Sequence, residues 1–215
     1  MPRAFLLSPA SLGGRRAALL LNAQAAFDLA VRLRVGAVPI GEIFSFISGL
    51  YFRGKLAYSR RFAATDDAIR VITSDRGLVD PGTAITLADF RAMADAVIDH
   101  LHPPYRDPFV RDAATLADEL GGGNVVLLGS VATDKYVAPL AAIFGARLHF
   151  PADFTGRGDM SRGGLLLQCA REGCELDYAP VMTSERHGAR PPRLQPDRAT
   201  PKAGRPRRRR ARRTP

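Results

Sequence analysis

Two cysteines in 215 residues are too few for a disulfide framework. Cys169 and Cys174 lie close together in one segment, without the further Cys and His partners that a zinc site requires. A reducing cytoplasm is therefore the expected compartment. Long apolar runs are absent too, since no stretch reaches the roughly eighteen residues of a membrane span. Ala4-Phe5-Leu6-Leu7 is too brief for the core of a secretory signal. The four histidines are poorly placed for catalysis: His100 and His102 flank a helix end, His149 falls in a strand and His187 near the C-terminus. Nucleophile-elbow, zinc-protease, EF-hand, Walker and dinucleotide-binding motifs are all missing. The residues thus imply no metal and no cofactor, and no internal repeat is visible.

Charge of one sign is missing from most of the chain. The formal net charge of +10 arises from 31 Lys and Arg against 21 Asp and Glu, but residues 186–215 hold twelve of those cations and one acid, Asp197. The remainder is nearly neutral. Only the extension, which carries Arg207, Arg208, Arg209, Arg210, Arg212 and Arg213, resembles a nucleic-acid-binding segment. Periodicity stops after about Val181, where Pro, Arg, Gly and Ala take over, so residues 183–215 are expected to be a disordered basic tail. Residues 1–182 suit a single domain with a sizeable core.

Within that body, short apolar runs alternate with longer segments of helical period. The pattern predicts a three-layer α/β/α fold with a four- to five-stranded, mostly parallel, Rossmann-like sheet. Strands are expected at residues 4–7, 69–73, 125–128, 147–150 and 176–181; the central ones are continuous and branched, as strands covered on both faces should be. Thr86-Leu87-Ala88-Asp89 has the form of a capping box ahead of a Leu87, Phe90, Ala94, Val97, Ile98, Leu101 stripe. Asp107-Pro108 is expected to open a helix stopped by Gly121, and residues 133–144 another ending at Gly145. Residues 24–63 read as two helices broken near Gly36 and Pro39.

In such a sheet ligands bind beyond the carboxyl ends of the strands, so the loops there are where a site belongs. The first offers Gly13, Gly14 and Arg15, either an anion-binding turn or a tight turn with solvated arginines. The second offers Ser74, Asp75 and Arg76, and the third Ser130, Lys135 and Tyr136, with capping by Thr133 as the plainer use. The richest runs over residues 151–164, with four glycines, Asp153, Arg157, Asp159, Ser161 and Arg162. Its arginines suit a phosphate or carboxylate; Asp75, Asp153 and Asp159 are the candidate catalytic acids, to orient water or stabilise a cationic sugar. Tyr51 or Phe52, in an aromatic-rich segment, has the form of a base-stacking residue, with core packing as the alternative.

Two stretches, Gly49-Leu50-Tyr51-Phe52-Arg53-Gly54-Lys55-Leu56-Ala57-Tyr58-Ser59 and Val71-Ile72-Thr73-Ser74-Asp75-Arg76-Gly77-Leu78-Val79-Asp80-Pro81, carry a resemblance. They are similar to an uncharacterised bacterial α/β family that itself resembles, at the level of fold, the uracil-DNA-glycosylase-like domains. Tyr136 and the turn at residues 156–164 fall where that pattern has a Tyr and a Gly-rich helix start. The sequence departs from it at Asp75-Arg76 and lacks the water-activating motif of true uracil-DNA glycosylases. The resemblance implies a three-layer sheet with a nucleobase- or nucleotide-sized crevice, and it supplies no catalytic residue. The functional expectation is a nucleotide- or nucleic-acid-linked protein that hydrolyses or transfers at an N-glycosidic bond. The alternative is a non-catalytic binding module recruited to nucleic acid by its tail.

Overall fold

The computed structural model describes residues 2–189 and 191. Its centre is built from the two most apolar runs of the chain, β1 (Arg3–Leu7) and β6 (Asn124–Leu128), which pair in parallel over their full length with Phe5 opposite Val126 and Leu7 opposite Leu128. Ala4 to Leu7 and Val125 to Leu128 are buried, which is why both strands lack the apolar–polar alternation of a half-exposed sheet. Outside them lie β3 (Ile69–Ile72) next to β1 and β7 (Leu148–Pro151) next to β6, both parallel. The edges are antiparallel: β4 (Leu78–Val79) on β3 and β8 (Tyr178–Pro180) on β7. The sheet order is β4-β3-β1-β6-β7-β8, so it has six strands; the additional one is β4, two residues long and too short to give a sequence pattern.

Helices form two packed groups that also touch the sheet. In one, α4 (Leu50–Phe62) lies on α8 (Asp159–Glu172) and meets β1; in the other, α6 (Pro103–Leu120) lies on α7 (Asp134–Phe144), with α6 against β4 and α7 against β7. Four further helices complete the body among the described residues: α1 (Arg15–Leu21), α2 (Asp28–Val35) and α3 (Ile40–Ser48) before α4, and α5 (Leu87–Asp95) after β3. A ribbon of β2 (Ala37–Pro39) and β5 (Ala84–Thr86) pins the start of α3 to the start of α5. The expected capping box is present, with the Asp89 amide donating to Thr86 Oγ1 at 3.2 Å and the Thr86 amide donating to Asp89 Oδ2 at 2.8 Å. These bonds hold the Asp89 carboxyl down at about 2.

Several boundaries differ from the sequence pattern. Residues 24–63 hold α2, α3 and α4, because the chain turns again at Gly49. The stripe from Leu87 stops being helical at Asp95: the Asp99 side chain accepts from the Leu101 amide at 3.0 Å, a local turn that leaves Val97 and Leu101 exposed. Helix α6 starts at Pro103 rather than at Asp107, with Pro at its first positions and Pro108 inside it. Residues 183–189, expected within the tail, run back over the body; the Ser184 amide donates to Pro180 O, Thr155 Oγ1 to Glu185 O and Arg186 Nη1 to Val131 O. The remaining tail residues, including Arg207, Arg208, Arg209, Arg210, Arg212 and Arg213, lie outside the described residues.

Candidate functional site

The chain leaves β1 toward β3 on one side and later returns to β6 on the other side of β1. Connections from these two strands diverge, and a crevice opens at their carboxyl ends. A cleft of about 590 Å³ occupies that place. The loop after β1 supplies Ser8 to Arg16, the loop after β6 and the first turn of α7 supply Ser130, Lys135 and Tyr136, α4 supplies Tyr51, and α8 supplies Asp159. Gly13, Gly14, Arg15, Ser130, Lys135, Tyr136 and Asp159, singled out from separate loops of the sequence, thus meet at one cleft.

Beneath Ser8 stands a residue that sequence reasoning passed over. Lys55 is fully buried in the middle of α4, and its Nζ donates to the Ser8 carbonyl at 2.6 Å and to Ser8 Oγ at 2.9 Å. It also sits over the rings of Tyr51 and Phe52, at 4.3 and 5.2 Å from their centroids. Burial lowers the Lys55 pKa to about 7, Asp159 opposing and Arg162 reinforcing the shift. Tyr51, one turn earlier, is buried, and its hydroxyl has no hydrogen-bond partner among the described residues. Burial holds this phenol well above its ordinary range despite the Arg162 guanidinium beside it.

Backbone contact between α4 and α8 puts these groups there. A Cβ at Gly54 would stand 2.6 Å from Gly163 O, and one at Gly163 would stand 2.7 Å from Leu50 O and from Tyr51 Cα. Only a glycine pair permits this approach, which carries the first turn of α8 to the side of Tyr51 and Lys55. Ser8 has a similar constraint from β6: a Cβ at Gly129 would lie 2.8 Å from Ser8 Cβ and 3.0 Å from its Oγ.

The rim is polar and largely cationic. Neither Arg15 nor Lys135 uses its side chain in a hydrogen bond among the described residues, although the Lys135 ammonium lies 4.9 Å from the Tyr136 ring centroid. Arg16, by contrast, donates to Phe46 O at 3.1 Å and is folded against Gly49. Asp159 is the acid of the lining, its side chain 72% exposed and its nearest cation, Arg162, 3.9 Å away. Helix α1 has only seven residues, so anion binding beside the Gly13-Gly14 turn rests on side chains more than on a helix dipole.

Other residues expected at the site lie elsewhere. Asp75 and Arg76 form a two-point pair at 3.1 and 2.8 Å, Arg76 also reaching Asp89 at 3.1 Å. With Ser74, whose hydroxyl donates to Met93 O at 2.7 Å, Asp75 lines a smaller pocket of about 200 Å³. Arg157 is committed to its own loop, donating to Asp153 O at 2.9 Å and to Ser161 Oγ at 3.3 Å. Arg162 is buried and gives two bonds to Phe154 O, at 3.3 and 3.0 Å, with its guanidinium over the Phe154 ring. None of Asp153, Arg157, Ser161 and Arg162 lines the large cleft. Comparison with protein-family models, with curated proteins and with solved structures finds no match to this chain.

Proposed function

We propose that the β1/β6 cleft binds a small anionic ligand of nucleotide size, the phosphate held by Arg15 and Lys135 and the uncharged end facing Tyr51. The observation that carries this reading is the pairing of two rim cations whose side chains make no hydrogen bond among the described residues with a buried phenol hydroxyl that has no partner among them. An unmade hydrogen bond on a buried hydroxyl costs about 1–3 kcal/mol, which a ligand's acceptor atom recovers. A nucleoside phosphate offers both kinds of group, and the cleft volume falls within the range of small-molecule sites. Chemistry at an N-glycosidic bond is the reaction this reading favours, with Asp159 as the acid on the lining able to orient water or stabilise a cationic sugar.

Calorimetric titration with the four common nucleoside monophosphates and with inorganic phosphate tests the reading, followed by chromatography for released base. At least one mononucleotide is expected to bind, and Arg15→Ala and Lys135→Ala each to weaken it by about 1.5–3 kcal/mol. Released base identifies an enzyme; binding without product identifies a binding module. No heat with any mononucleotide, or affinity unchanged in both variants, ends the proposal.

A further inference from the structure

Ser8 and Lys55 have the geometry of a nucleophile and its base. The hydroxyl belongs to the residue that follows β1; the Ser8 amide donates to Leu128 O at 3.2 Å, the hydroxyl donates weakly to the same carbonyl at 3.4 Å and must turn from it to Lys55, and Ser8 lines the cleft. The amine is 2.9 Å away, within reach for direct proton transfer, and is screened from solvent. The Ser8 carbonyl at 2.6 Å orients Nζ by accepting one of its protons, which leaves the nitrogen lone pair for the hydroxyl proton when Lys55 is neutral. Charged groups facing Lys55 are Asp159 and Arg162 of α8, of opposite sign, and the Tyr51 phenol comes from its own helix. The balance leaves burial dominant, so the lysine gives up its proton near neutrality, as a base for serine must.

We propose that Ser8 is a nucleophile activated by Lys55, and that the cleft turns over a small ester or other activated acyl compound carrying a phosphate or carboxylate. Ser8 Oγ attacks the carbonyl carbon as its proton passes to Lys55 Nζ. The bond from carbon to the leaving oxygen then breaks, and that oxygen takes the proton from Lys55. Water adds to the Ser8 ester in the second half and gives a proton to Lys55; the bond from carbon to Ser8 Oγ then breaks, Oγ takes that proton back from Lys55, and the acid leaves. The Tyr51 O–H, which has no partner among the described residues, is the donor for the carbonyl oxygen as negative charge grows on it. This inference rests on the cleft being the ligand site, but it does not require the ligand to be a nucleotide.

A fluorophosphonate probe tests it on the full chain without a known substrate, because Ser8 Oγ displaces fluoride from phosphorus by the same proton transfer. One adduct is expected, on the peptide containing Ser8, with a labelling rate that rises through about pH 7. Ser8→Ala should remove the adduct, and Lys55→Met should slow labelling by about 10²-fold or more while far-ultraviolet circular dichroism stays native. Should Lys55→Met fail to fold, the pH profile of the wild-type chain decides alone. No adduct on Ser8 between pH 6 and 9, a pH-independent rate, or equal labelling of folded Lys55→Met overturns the proposal. Labelling of Ser8 in a chain that binds no mononucleotide keeps the nucleophile and removes the nucleotide reading; mononucleotide binding without labelling does the reverse.

Discussion

Lys55 Nζ lies 2.9 Å from Ser8 Oγ and 2.6 Å from Ser8 O, joining the middle of α4 to the end of β1. The contact sets a buried amine against Ser8, which lines the cleft that opens where the sheet connections diverge. Rim cations and the nucleophile candidate consequently line one cleft, together with Tyr51, whose hydroxyl is buried.

Lys55 should make stability depend on pH. Its pKa is about 7 folded and 10.5 unfolded, so between those values the unfolded chain binds more protons and stability rises with pH. The cost of the buried charge is fully present below pH 7 and gone above 10.5. In urea unfolding, the advantage of Lys55→Met over the wild-type chain should therefore shrink by on the order of 1–3 kcal/mol from pH 6.5 to 9. A difference that stays constant would show that Lys55 does not titrate in this range.

Gly54→Ala and Gly163→Ala should each destabilise the fold by about 1–3 kcal/mol, because the new methyl meets backbone on the facing helix and not a movable side chain. Gly158→Ala is the control, since a Cβ there meets nothing within 4 Å. Thermal unfolding reads all three, and equal midpoints would contradict the close crossing.

The central strands were legible in the sequence because burial on both faces demands uninterrupted apolar residues, as in β1 and β6. The edge strand β8 falls within the strand expected at residues 176–181, but β4, of two residues, and the β2 and β5 ribbon, of three each, are too short for alternation to register. The loops after β1 and β6 could be placed by the rule that ligands gather at strand carboxyl ends, which brought Arg15, Ser130 and Lys135 into view. Lys55 escaped notice because it lies within a helix, not a loop. Its signal was positional: Tyr51, Phe52, Leu56, Tyr58 and Ser59 are all buried on α4, and a lysine at the core-facing position among them needs a reason. Arg157 and Arg162 looked like ligand groups because sequence cannot tell a guanidinium aimed at solvent from one bonded to its own loop.

Among the acids, Asp159→Asn should change turnover or affinity in the cleft, by about 10²–10⁴ in rate if it acts on the bond being broken. Asp75→Asn and Asp153→Asn should leave the mononucleotide affinity within about twofold, since neither lines the cleft. A tenfold or greater loss in Asp75→Asn would move the site to the smaller pocket beside Ser74.

Nonspecific nucleic-acid affinity should depend on the basic extension, which holds most of the excess positive charge. Removing residues 192–215 should abolish salt-dependent retention on a short DNA duplex and leave the unfolding midpoint unchanged. A truncated chain with the same affinity and salt slope would place that binding on the body.

The central claim is that a lysine able to shed its proton near neutral pH lies against Ser8, which lines the cleft. Carbon-13 NMR of the lysine Cε signals, with Lys55 assigned by its loss in Lys55→Met, measures this directly across pH 5 to 11. The expected midpoint is about 7. A midpoint near the ordinary lysine value of about 10.4 would contradict the account.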